Sequence, residues 1–330
     1  MKILFNRPIK EQAWGGGSHF ITSLYYYLVK KGIDVTFNFE NNIDLIFMFE
    51  PRSDNNHPGI EQILEYQKYK KTPVIQRIND TDIARHAYGL SPHDPPWRIK
   101  TLLHANQFVD HTIFISEWVK NHYMGHGYNR KERKDSVIVN GCNLDYFYPE
   151  DTTDKKNTKL KVVTHHWSDN PMKGLDMYIA MDKICQNNNN IEFTYLGRYP
   201  SGYTPKATKI IPPVYGKKIG DILRAHNLYI TGARFEACGM HHIEAASCGL
   251  PVIYHKDGGA INEVCKEYGF EINSVDDLLK ALSFYSSKEN RKTHIDNIDY
   301  DYLSNERCNF RYYECIISLI NSFDDTCEEK

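Results

Sequence analysis

Residues 228–254 constrain this chain more than any other stretch. Leu228, Tyr229, Ile230 and Thr231 form a short apolar run of strand type, and Val252, Ile253 and Tyr254 form a second. Between them a loop carrying Glu236 and Gly239 leads into a compact helix expected over 240–247, which Gly249 stops and Pro251 cannot extend. Strand, loop, helix and strand in succession make the repeating unit of a parallel sheet. The expected helix N-terminus at Gly239 and Met240 presents free N–H groups and the positive end of the helix dipole, an arrangement that attracts phosphate. Glu236 precedes that end and Glu244 lies a turn inside, so each could accept hydrogen bonds from sugar hydroxyls beside such a phosphate. Alone, the two carboxylates are equally consistent with a helix-end charge and a solvated helical glutamate. The next segment shifts the balance, because Gly258, Gly259 and a third glutamate, Glu263, follow the second strand.

Glu236-x7-Glu244, then Cys248-Gly249-Leu250-Pro251-Val252 and Gly258-Gly259-x3-Glu263, resembles the donor-binding half of the retaining GT-B glycosyltransferases, family 4 group (glycosyl transferases group 1). The resemblance implies an α/β chain with two Rossmann-like doubly wound domains facing a cleft. It also implies sugar transfer from a nucleotide-sugar donor to an acceptor hydroxyl with retention of anomeric configuration. The nucleotide sugar is then a substrate and not a cofactor, and neither cofactor nor metal is expected. Two other readings share the phosphate clamp: a nucleotide-sugar epimerase of the same architecture, and a non-catalytic nucleotide-sugar-binding protein.

Composition sets outer bounds. The chain has 330 residues, 41% hydrophobic and 25% charged, enough for two domains with cores of their own. A formal charge of −2 argues against a general nucleic-acid binder. Basic clusters at 68–71 and 130–134 read as solvated faces, with peripheral membrane or anionic-acceptor contact as the alternative. No run approaches a transmembrane helix, Met1 to Asn6 reads as a first strand and not a signal peptide, and the eight scattered cysteines suggest reduced thiols. Together these predict a cytoplasmic protein. The doublets His165-His166 and His241-His242 are not a metal site on their own, since adjacent residues of a strand or helix point apart.

Along the chain, a first strand at 3–5 is followed by Gly15, Gly16 and Gly17, read as a loop ahead of a helix over 20–31. By resemblance that loop faces the donor diphosphate. Strands are expected at 44–49 and 73–80, the latter ending in a polar cluster at Arg77, Asn79 and Asp80 that continues to His86. These four are the acceptor-side candidates, because ligands of open α/β sheets lie beyond the carboxyl ends of the strands. The family usually has a His-Asp pair there, and this chain has Arg77-Ile78-Asn79-Asp80 instead. Residues 1–150 are the expected N-terminal, acceptor-side domain, closed by a strand and an Asn140-Gly141 turn, with a charged linker to 159.

Residues 151–305 are the expected nucleotide-sugar-binding domain, and a helix within 306–330 is expected to pack back on the first. Lys173-Gly174 matches the family's diphosphate-binding Lys-Gly pair. The basic residue upstream is absent, and His166 or Arg198 is the expected substitute. Val214 and Tyr215 fall where the family holds the nucleobase. By resemblance Glu244 binds ribose, Glu236 the donor sugar, and Lys173 with the helix end at Gly239 and Met240 the phosphates; Glu236 and Lys173 are the catalytic candidates. The acceptor, which could be glycan, lipid or protein, is not specified.

Overall fold

Short apolar runs alternate with amphipathic helices, and the runs at the centres of the sheets bury both faces, as inner strands of a parallel sheet do. The computed structural model describes residues 1–9, 15–81, 97–129, 134–150 and 159–328. These residues fall into two compact units, Met1–Asn140 with Asn305–Lys330, and Gly141–Ser304.

The first unit carries strands β1 (Lys2–Phe5), β2 (Asp34–Thr36), β3 (Leu45–Met48), β4 (Val74–Ile78), β5 (His111–Phe114) and β6 (Lys134–Val137). All pair in parallel in the order β2-β1-β3-β4-β5-β6. Helices α1 (Gly15–Lys30), α2 (Ile60–Gln67), α3 (Trp97–Asn106) and α4 (Glu117–Gly125) connect them. At the point where strand order reverses, Asn6 is fully buried: its amide donates to Glu50 O at 2.6 Å and Pro58 O at 2.9 Å, and accepts from Phe49 N at 2.7 Å. The glycine triplet differs from expectation. It is the first turn of α1 and not a loop before it, since the first N–H groups of a helix need no intrahelical partner and a glycine there strains nothing.

The second unit has β7 (Leu160–His166), β8 (Ile191–Gly197), β9 (Lys209–Ile211), β10 (Leu228–Thr231), β11 (Val252–His255) and β12 (Gly269–Ile272), again all parallel, in the order β12-β11-β10-β7-β8-β9. Order therefore runs outward in both directions from β7 and β10, the doubly wound pattern of dinucleotide-binding folds. A 3-10 turn at Pro171–Lys173 leads into α5 (Leu175–Asn187). Helices α6 (Lys217–Arg224), α7 (Met240–Ser247), α8 (Ala260–Cys265), α9 (Val275–Ser286) and α10 (Lys288–Asp296) follow. The Ser274 hydroxyl caps α9 by accepting from Asp277 N at 3.1 Å.

One buried carboxylate shapes the approach to β9. Asp182 on α5 accepts from the N–H groups of Lys206, Ala207 and Thr208 and from the hydroxyls of Thr208 and Tyr203, at 2.7–3.1 Å. Burial alone would raise its pKa. The donors outweigh it, led by Lys206 N–H and Thr208 Oγ1, and hold the carboxyl well below the ordinary range.

The last helix, α11 (Asn305–Glu328), belongs to the first unit. Its Tyr312 ring lies 4.6 Å from Phe20 and its hydroxyl accepts from Arg77 Nε at 3.0 Å, while Cys308, Ile316 and Ile320 join Ile3, Phe47 and Ile75 in one cluster. Among the described residues, no helix is long and apolar enough to cross a membrane. Truncating Ile316, fully buried on α11, to alanine should cost about 2–5 kcal/mol. Denaturant unfolding followed by tryptophan fluorescence measures it; a loss under about 1 kcal/mol would mean α11 adds little to this core.

Candidate functional site

Topology alone points to one place in the second unit. Ligands of doubly wound sheets bind beyond the carboxyl ends of the strands where order reverses, here between β7, which ends at His166, and β10, which ends at Thr231. The segments leaving these two ends carry the side chains singled out from sequence.

After β7 the 3-10 turn presents Lys173, and Gly174 follows at φ +87°. A Cβ at Gly174 would lie 2.3 Å from the Gly232 backbone, so the two segments touch main chain to main chain and only glycine fits. After β10, Phe235 takes a left-handed backbone, φ +55°, rare for a bulky residue. Phe235 N donates to Asp257 O at 2.7 Å, Glu236 N to Gly258 O at 3.2 Å, and Ala260 N to Glu236 O at 2.8 Å. The Glu236 main chain thus lies against the Gly258–Gly259 turn, and a Cβ on Gly259, at φ +72°, would sit 2.6 Å from Glu236 O. That contact explains the glycine pair noted in the sequence.

The side chains converge. Lys173 Nζ pairs with Glu236 Oε1, both largely buried. Gly239 is the extended N-cap of α7 with no side chain to close the helix end, so the N–H groups of its first turn receive no side-chain cap from it. Glu244, a turn further on, has its Oε2 2.8 Å from His165 Nε2. Lys173, Glu236, Gly239, Met240 and Glu244 therefore belong to one locality, as the sequence pattern implied, and His165 joins them.

The other expected residues have surroundings of their own, although Val214 and His166 line one narrow cavity together with His165. His166 points to the opposite face of β7 from His165; it is buried, with Nε2 2.5 Å from the Tyr178 hydroxyl and 3.3 Å from Thr164 Oγ1. Burial, reinforced by Lys173 and His165, pushes its pKa well below the usual imidazole range, so it is a neutral core residue and supplies no cation. Arg198, just past the end of β8, is exposed, and its side chain has no hydrogen bond or ion pair among the described residues. Val214 and Tyr215 lie between β9 and α6. Tyr215 is exposed and its ring is 4.6 Å from Trp167, beside a narrow cavity that Val214, Pro213 and Leu196 help line.

In the first unit, Gly15, Gly16 and Gly17 open α1, and Asn79 lies within reach of Gly17. Arg77 is 2% exposed: it stacks over the Phe20 ring at 3.9 Å and donates to Asn140 Oδ1 at 2.8 Å, bracing the core and not reaching solvent. The Asp80 carbonyl accepts from the Tyr123 hydroxyl at 3.1 Å. His86 lies outside the described residues, as does Asp82. Among the described residues no group of three or more His, Cys, Asp or Glu side chains is placed to hold a metal.

With this geometry in view, the second unit can be set beside known proteins. Residues 151–300 match the family model described as glycosyl transferases group 1. That match takes in most of the second unit and a little under half of the chain. The chain is 27% identical over 216 residues to the phosphatidylinositol N-acetylglucosaminyltransferase GPI3 subunit of Saccharomyces cerevisiae (strain YJM789), a match that covers 59% of this chain and 47% of that protein. It thus spans about half the length of that curated relative. The solved structure of Anabaena Alr3699/HepE in complex with UDP superposes with TM-score 0.68 and 17% identity, covering 96% of this chain and 100% of that one. Sucrose-phosphate synthase (tll1590) from Thermosynechococcus elongatus gives TM-score 0.65 at 13% identity, covering 97% and 99%. These likenesses extend the shared fold over both units, as two Rossmann-like domains of GT-B type.

The second unit holds a cluster of neutral imidazoles. His166, His241 and His242 are buried, and burial is the main force lowering each, with Lys173 adding to all three; His242 falls to about 3. The unfolded chain takes up these protons near pH 6.5 while the folded one does not, so stability is complete above that pH and lost as pH falls from about 6.5 towards 3. For three such groups the slope reaches about 4 kcal/mol per pH unit. Urea unfolding at pH 7.5, 6.5 and 5.5 should show a falling midpoint over the lower interval, about a third shallower in His242→Phe. A midpoint unchanged down to pH 5 would mean the imidazoles are not held neutral.

Proposed function

We propose that this chain transfers a sugar from a nucleotide-sugar donor to an acceptor hydroxyl with retention of anomeric configuration and without a metal. The observation that carries this is the convergence of Lys173, Glu236, Glu244 and the uncapped α7 N-terminus at the reversal point of one sheet, in a unit that matches the group 1 family model. The activity named for the GPI3 relative and the UDP held by the HepE neighbour support it.

Sugar transfer has two demands: the departing nucleotide diphosphate must be neutralised, and the anomeric carbon held against the incoming oxygen. Lys173 and the first N–H groups of α7 meet the first demand, since oriented dipoles and one ammonium stabilise the charge that develops on the leaving phosphate. Arg198, exposed near by in sequence to β8's end, is a second available cation. Glu236 grips a hydroxyl of the donor sugar and Glu244 the ribose. Before the donor arrives Lys173 and Glu236 neutralise each other, so a ligand bearing both a phosphate and a hydroxylated sugar is the one able to replace both halves of that pair. The leaving phosphate takes the acceptor proton on the same face, and no protein nucleophile is required. The acceptor is a glycan, lipid or protein hydroxyl, for which Asn79, Asp80 and His86 of the first unit are candidates, and Gly15–Gly17 are candidates for phosphate contact. Work in the cytoplasm, with peripheral membrane contact, completes the reading.

A thermal-shift panel of nucleoside diphosphates and nucleotide sugars tests it. A ligand specific for the folded state raises apparent stability in proportion to the logarithm of concentration over Kd. At least one should raise the melting temperature, and Lys173→Ala should weaken its binding by roughly 1.5–3 kcal/mol, far more than it destabilises the free protein. No shift with any nucleotide overturns the reading. Transfer should also persist in EDTA, because positive potential comes from Lys173 and the helix end. Loss of activity in EDTA that Mg²⁺ or Mn²⁺ restores would instead place a metal beside the phosphates.

A further inference from the structure

His165 received no role from the sequence, and the geometry gives it one. It sits on β7 one residue before the strand ends, with its ring edge against Tyr229 at 5.5 Å. Its main-chain N–H donates to the Tyr229 hydroxyl at 3.3 Å, and that hydroxyl lies 3.4 Å from its carbonyl, so strand and ring are both fixed. Tyr229 is fully buried on β10, the strand across the reversal point. From this anchorage His165 Nε2 reaches Glu244 Oε2 at 2.8 Å, with the two side chains 6% and 17% exposed.

An ionised carboxylate only accepts hydrogen bonds, so the shared proton sits on Nε2. His165 Nδ1 is buried and has no hydrogen-bond partner among the described residues, so none of them pulls the ring towards the opposite tautomer. At the other end of the pair, among the described residues, Oε2 of Glu244 is held and Oε1 makes no hydrogen bond, on a side chain that is partly exposed. Glutamate has three side-chain torsions, and an unheld carboxylate loses rotamer freedom whenever it grips a ligand.

We infer that His165 is a positioning residue: it fixes Oε2 of Glu244 so that Oε1 is presented to a ribose hydroxyl. The inference rests on the proposed transferase reading, and it assigns ribose discrimination to a strand residue that never touches the nucleotide.

The alternative is a brace between β7 and α7 with no bearing on ligand. Four variants separate the two: His165→Phe, His165→Gln, Glu244→Gln, and His165→Phe combined with Glu244→Gln. The probes are UDP with 2′-deoxy-UDP and GDP with 2′-deoxy-GDP, titrated by calorimetry. His165→Phe should lower affinity for the bound ribonucleotide about tenfold and leave that for its 2′-deoxy partner within about twofold. His165→Gln, whose amide can still donate to Glu244, should stay within about threefold of the unsubstituted protein. The double variant should bind no more weakly than Glu244→Gln alone. Should His165→Phe not fold, His165→Asn, too short to reach Glu244, serves in its place. Equal losses for the ribo- and deoxyribonucleotide, or additive losses in the double variant, overturn the positioning role while the transferase reading stands. Should neither UDP nor GDP bind, the ribonucleotide that shifts melting in the panel above replaces them with its 2′-deoxy partner, and failure of every ribonucleotide to bind the unsubstituted protein overturns both.

Discussion

Everything in the second unit depends on one close contact between backbones. Strands β7 and β10 are neighbours, yet the chain leaves them towards opposite halves of the sheet, and the two departing segments have to pass each other at once. They do so at Gly174 and Gly232, where no Cβ intervenes. That contact brings the turn bearing Lys173 beside the loop bearing Glu236, and the Lys173–Glu236 pair is its direct result. A side chain at either glycine would force the segments apart and separate the charges, even though neither glycine offers any chemistry of its own.

The electrostatics around that contact are divided by burial. The partly buried layer carries formal charge, Lys173 against Glu236, while the imidazoles of His166, His241 and His242 behind it are kept neutral by the absence of water. Neutral rings add no cation to compete for a phosphate and no penalty for burying one. Formal positive charge at this layer is then the Lys173 ammonium, with the positive end of the α7 dipole beside Glu236 in the same loop-and-helix segment.

Much of this was legible in sequence. The strand at Leu228–Thr231 and the helix at Met240–Ser247 have the expected bounds, because apolar runs, Gly249 and Pro251 each act locally. The glycine triplet misled, since a run of glycine reads as loop unless tertiary contacts show that a helix starts on it. The paired histidines show a second limit. Alternation along a strand guarantees that His165 and His166 diverge, but β7 is buried on both faces, so no pattern of exposed and buried positions says which one meets Glu244. The same ambiguity hid Arg77, whose place at a strand's carboxyl end suggested contact with ligand and whose guanidinium is spent on Tyr312 and Phe20.

Asp182 has an implication for how the molecule can diverge. Three successive main-chain N–H groups, from Lys206 to Thr208, hang on its single carboxylate. Because those donors are main chain, the shape of the bend does not depend on which side chains Lys206 and Ala207 carry. The loop is therefore open to drift in sequence at constant conformation, with the whole constraint displaced onto one residue of a distant helix. A library randomised over those two positions would retain its folded members in large number, whereas one randomised at Asp182 alone would lose almost all of them.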